Sequence, residues 1–252
     1  MTSHIVPMAV LLVSLLVTSG CVTESSGGLP PPASTSDRVQ AHLDLARGYL
    51  EQQDFERAKP ALETALEIDP RNVGAHVLSA VVLHAQNDDE LAEKHYKTAL
   101  RIDPRNAQAL NNYGTFLYAM ERYEDATGPL SRLVEDTSYR ARSQAFENLG
   151  MAQLQMGDGE AAQASFARSI ELNPRQPGAT LELAYLAIEQ RDYEQANVLL
   201  RNFRNMAGRN ARSLCLGVKV GLGLNDQDLV ASNSIALKNL YPAVADQCLE
   251  QR

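Results

Sequence analysis

The sequence has no tryptophan, and aromatic residues are 6% of its 252 positions. It has three cysteines, and none falls in a Cys-x-x-Cys or Cys/His spacing, which argues against a metal site. There is no Ser-His-acid arrangement, no phosphate loop and no HExxH. Catalysis, cofactors and a small-molecule substrate are therefore not expected. Basic residues are outnumbered, 23 against 31 acidic ones, for a formal net charge of −8. No basic cluster stands out, which excludes a nucleic-acid surface. Asp88-Asp89-Glu90 lacks the alternating oxygen ligands and the glycine of a calcium loop, and reads as a solvated turn. Past the first residues the histidines, His42, His76, His84 and His95, are scattered. His42 and His76 stand at one place in successive segments and are expected to pack in the core. His95 is expected to face solvent.

What the chain does have is a period. Leu66-Glu67-Ile68-Asp69-Pro70-Arg71-Asn72 returns as Leu100-Arg101-Ile102-Asp103-Pro104-Arg105-Asn106, 34 residues later. It returns less closely as Ile170-Glu171-Leu172-Asn173-Pro174-Arg175, and Pro242 lies 68 residues past Pro174. A 34-residue helix–turn–helix period is the signature of the tetratricopeptide repeat. The expected fold is all-α: a solenoid of about six such repeats in a right-handed superhelix. The units run over about 39–72, 73–106, 107–140, 143–176, 177–210 and 211–244, within a repeat domain of 38–252. The stretch 107–133 is the clearest hairpin. Leu110, Tyr113, Gly114 and Leu117 form one apolar stripe, and Tyr123, Ala126 and Leu130 a second. Gly114 and Ala126 are small where two helices would cross. Pro60 and Pro129 each fall well inside a second helix and are expected to kink it. With two residues inserted near 141–142, they imply a solenoid that bends or splits into two halves of three units.

Stacked hairpins curve, and the first helix of each pair lines the inner face. In repeat register, the inward residues are apolar in unit two, at Val77, Leu78 and Val81. They are polar in unit three, at Asn111, Asn112 and Thr115, with Tyr118 a turn later. Glu147, Asn148 and Met151 follow in unit four, then Leu181, Glu182 and Tyr185 in unit five. A protein-binding groove is expected there. Asn side chains donate and accept, and suit an extended peptide backbone. The other reading of Asn112 and Asn148, that they only satisfy neighbouring helix backbone, stays open. Lys and Arg are largely lacking at these positions, which excludes clamping of a C-terminal carboxylate.

The N-terminus reads as an export signal. Residues 5–20 carry no charged side chain and suit a signal-peptide core, too short for a membrane span. The run ends at Gly20-Cys21, so residues 1–20 are expected to be removed and Cys21 lipidated. Thr18 stands where a lipobox usually has Leu, and no Lys or Arg precedes the core. Ordinary secretory cleavage and an uncleaved anchor are the other readings. Three acyl chains, at about 0.8 kcal/mol per buried methylene, would hold the chain on a membrane. Val22 in place of Asp resembles an outer-membrane address, which puts the protein on the periplasmic face of that membrane. Residues 22–37 are rich in Ser, Thr, Gly and Pro and read as a tether. Cys215 and Cys248 either pair in an oxidising periplasm or stay as two buried thiols.

LNNYGTFLYAMERYEDA at 110–126, FENLGMAQLQMGDGEAAQASFARSIELNPRQP at 146–177, ARSLCLGVKV and LKNLYP together resemble a known family. It is that of the type IV pilus biogenesis and stability lipoproteins, the PilF/PilW family. The resemblance covers nearly all of the chain after the export signal. It implies a pilotin that binds secretin subunits at the outer membrane and helps them localise and multimerise. It carries the lipidated cysteine onto Cys21. A general periplasmic scaffold for cell-envelope assembly is the other functional reading.

Overall fold

The computed structural model describes residues 34–250. The signal-like run, Cys21 and most of the tether lie outside them. Thirteen α-helices and no strand occur among the described residues. They form six antiparallel pairs and a closing helix. The pairs are α1 (Thr35–Glu51) with α2 (Phe55–Ile68), α3 (Val73–Ala85) with α4 (Asp89–Ile102), and α5 (Ala107–Ala119) with α6 (Tyr123–Glu135). Then come α7 (Arg142–Gln155) with α8 (Gly159–Leu172), α9 (Pro177–Glu189) with α10 (Tyr193–Ala207), and α11 (Ala211–Gly223) with α12 (Gln227–Leu240). The last is α13 (Pro242–Glu250).

The repeating residues set the helix ends. Asp69, Asp103 and Asn173 each accept the backbone N–H two residues on, at 3.0 Å, and so hold the Pro-Arg turn. Asn72 and Asn106 then cap α3 and α5 by accepting from Ala75 and Ala109. At the other turn of each hairpin, Asp54, Asp88, Asp158, Asp192 and Asp226 cap the second helix. The residue before each cap has positive φ: Gln53, Asn87, Gly157, Arg191 and Asn225. Unit three keeps the bend at Glu121 but has Arg122 at the cap, with no side-chain capping bond. Ser34 and Asp37 close a reciprocal capping box, so the first helix starts at Thr35. Four residues read as the end of the tether therefore belong to the repeat domain.

The core is made where small residues let the helices touch. Ala46, Ala80, Ala58, Ala92, Ala126, Ala162, Ala184 and Ala196 are fully buried. One apolar cluster runs from Val77 of α3 to Ala152 of α7, without a break at the 141–142 insertion. Arg142 helps to close that joint by donating from Nε to the Val134 carbonyl at 2.7 Å. The helices α2 and α6 run unbroken through Pro60 and Pro129. Residues 34–250 belong to one compact unit, so of a bend or a split into two halves, the split does not occur. Continuous side-chain packing outweighs the one hydrogen bond that each proline removes.

Cys215 and Cys248 are disulfide-bonded, with 5.8 Å between their Cα atoms. The bridge pins α13 on α11 over a small cluster of Leu214, Leu237 and Ala245. Of the two readings of these cysteines, pairing is the one the structure has.

Units two and three are joined by a charged knot. Glu93 of α4 meets Arg122 at 3.0 Å, Lys97 at 2.9 Å and the Tyr113 hydroxyl at 2.9 Å. Burial alone would raise the carboxyl's pKa. The bonds from Arg122, Lys97 and Tyr113 outweigh it and hold the pKa at about 2. A carboxyl depressed in the folded state stabilises above its ordinary range and loses that contribution as pH falls toward its folded value. Glu93→Gln is expected to cost about 1–3 kcal/mol near pH 7. In urea unfolding, the gap from the parent chain should be flat above about pH 5.5 and narrow as the pH falls through 4.5 toward about 2. A gap independent of pH would show that the knot contributes no charge-dependent stability.

Candidate functional site

The first helices of successive units lie side by side: α1 against α3, α3 against α5, α5 against α7, and so on to α11. This packing decides which inward residues remain accessible. Val77 is fully buried in the cluster shared with α5, and Leu78 is buried in the cluster shared with α1 and α2. Both are core residues, which corrects their place in the expected groove. Val81, a turn later, is half-buried.

Units three to five bring amide side chains together in a string. Asn173 donates to Gln176, Gln176 to Gln144, and Gln144 to Asn148. Asn148 then donates to Asn111 at 3.3 Å, and Asn111 to Asn112 at 3.4 Å. These bonds are at the long end of the hydrogen-bond range and yield easily to a better partner. The partners of Asn112 and Asn148 are side-chain amides, not the backbone of a neighbouring helix. Thr115 spends its hydroxyl on its own helix, at the carbonyls of Asn111 and Asn112. Beside Asn148, Glu147 accepts from the N–H of Ala179 at 3.2 Å. It supplies the negative charge that α9 lacks at its own N-terminus, where Gln176 makes no side-chain capping bond.

Further on, the surface becomes aromatic. The rings of Tyr118 and Tyr123 meet edge-on at 5.2 Å. Burial pushes the Tyr118 phenol up, and Tyr123 and the Glu182 carboxylate push the same way. Arg212 of α11 lies 5.7 Å over the Tyr185 ring and grips both carboxylate oxygens of Glu182. Glu182 is 4% exposed, so it needs that partner. Met151 is half-buried against the same apolar cluster as Tyr185.

Asn111, Asn112 and Asn148 are thus brought together, and Tyr118 and Tyr185 both lie near the Glu182–Arg212 pair. Gln144, Gln176 and Arg212 were not anticipated. The repeat register could have found Gln144, because it lies one turn before Asn148. Among the described residues, no three His, Cys, Asp or Glu side chains converge as a metal site would require. No described helix is long and apolar enough to cross a membrane.

Models of the tetratricopeptide repeat match residues 43–107, 148–200 and 95–127. The chain is 40% identical over 227 residues to the type IV pilus assembly protein PilF of Pseudomonas aeruginosa, covering 89% of each chain. A solved structure of Pseudomonas aeruginosa PilF superposes with a TM-score of 0.80 at 40% identity, over 86% of this chain and 99% of that one. That of PilW, described as a widely conserved type IV pilus biogenesis factor, gives a TM-score of 0.71 at 25% identity, over 81% and 94%. With its six helix pairs and this similarity along nearly its whole described length, the chain belongs to the PilF family of tetratricopeptide-repeat proteins of type IV pilus assembly.

Proposed function

We propose that the protein is an outer-membrane pilotin, lipidated at Cys21, that holds secretin subunits and promotes their localisation and multimerisation without covalent chemistry. The observation that carries this reading is the run of accessible amides and aromatics in a chain of the PilF family. Amides that bond only one another at long range can exchange those bonds for a partner's backbone at little cost. The aromatic end, with Tyr118, Tyr185 and Arg212, offers area for an anchor side chain. A lipid anchor and tether would concentrate this surface at the membrane, so that secretin subunits meet it before they insert.

Capture of purified secretin fragments tests the reading. Paired Asn112→Ala and Asn148→Ala should weaken capture about tenfold or more while circular dichroism stays unchanged, with each lost bond contributing about 1 kcal/mol. Cys21→Ser should move the protein out of the membrane fraction and reduce secretin multimers in cells. Normal multimers in a deletion strain, with no capture of any fragment, would sink the proposal.

A further inference from the structure

Unit two holds a histidine pair outside the surface described above. His76 of α3 and His95 of α4 face each other with 3.0 Å between their Nδ1 atoms. Their ring centroids are 5.1 Å apart. The other nitrogen of His76, Nε2, is 3.1 Å from the Pro70 carbonyl, which can only accept. That bond fixes the proton of neutral His76 on Nε2 and leaves Nδ1 as a bare lone pair aimed at His95. His95 is not the solvent-facing residue expected from the sequence. It is half-buried, and its ring lines a cleft of about 280 Å³ between α2, α3 and α4, with Lys59, Glu63 and Leu91.

We propose that His76 and His95 form a two-nitrogen site for a borderline divalent transition ion, Zn²⁺ or Cu²⁺. Imidazole nitrogens bind such ions at about 2.0–2.1 Å, which at ligand angles of roughly 90–110° puts the two nitrogens about 2.9–3.4 Å apart. The pair already has that spacing. The Pro70 carbonyl plays the part of the outer partner that orients a metal-bound histidine. On binding, the proton on His95 Nδ1 moves to its Nε2 through solvent in the cleft, and both Nδ1 lone pairs turn to the ion. Starting from two neutral rings the step releases no proton, and no redox change is needed. Among the described residues no third protein ligand is in place, so the remaining positions would be open to water from the cleft. The ion would tie the two helices of unit two together. No local spacing in the sequence marks this pair, because the two histidines are 19 positions apart and only the hairpin brings them together.

The test uses the tag-free full chain in mild detergent, stripped of metal and titrated with Zn²⁺ by calorimetry. One ion per chain is expected, with at least about tenfold weaker binding in His76→Gln and in His95→Gln. Imidazole nitrogen NMR of the parent chain gives an independent readout: His76 and His95 should shift, and His42 and His84 should not. Absence of saturable binding, unchanged affinity in both variants, or shifts confined to His42 or His84 would each overturn the site. If a variant fails to fold, the NMR result decides.

Discussion

Gly114→Leu should lower the stability of the chain by about 3 kcal/mol or more, at or above the top of the usual range for overpacking. A Cβ at position 114 would stand 2.6 Å from Leu130 Cγ and 2.7 Å from its Cδ2. Leu130 is fully buried and has nowhere to go. The whole contact between α5 and α6 must open to admit a larger side chain. Gly150 is the same position in the next unit, with its Cβ place 2.7 Å from Phe166, which is also fully buried. Gly128 is the control. It lies exposed in α6 with nothing within 4 Å of its Cβ place, so Gly128→Ala should stabilise by about 0.5–1 kcal/mol. Thermal and urea unfolding followed by circular dichroism measure both variants. An unchanged Tm for Gly114→Leu would mean that α5 and α6 do not cross at this residue.

Gly114 was legible in the sequence because it sits on an apolar stripe at helical spacing, in phase with the alanines of other units. The hairpins were legible for the same reason, since one period links packing, caps and turns. Side-chain pairs between units were not. Arg212 finds Glu182 across 30 positions, and His95 finds His76 across 19. Nothing local in either segment names its partner. Val77 and Leu78 were misplaced for a related reason. Register locates the inward side of a helix, but burial depends on how closely the neighbouring first helices crowd it. In unit two, α1 and α5 close over those positions and leave Val81 half-covered. At Pro60 and Pro129 the helices continue past the proline, because packing against their neighbours outweighs the one hydrogen bond that each proline removes.

Arg212→Ala should cost about 2–3 kcal/mol, below the ~3–5 of a fully enclosed pair, because the arginine is half exposed and water replaces part of it. The loss arises at Glu182, whose carboxylate would stay buried on α9 with its main partner gone. Glu182→Leu with Arg212→Leu should recover most of that loss, since an apolar pair of similar volume needs no partner. A double-mutant cycle in urea isolates the coupling, expected at about 1–3 kcal/mol. The double variant also separates two roles. It restores packing between α9 and α11 but removes the cation over Tyr185. If it keeps the parent Tm and loses secretin capture, the arginine–tyrosine end is part of the recognition surface. If capture is unchanged, the pair serves only to join units five and six, and recognition lies with the amides of units three and four. A double variant as unstable as Arg212→Ala alone would contradict the burial of Glu182 on which the expectation rests.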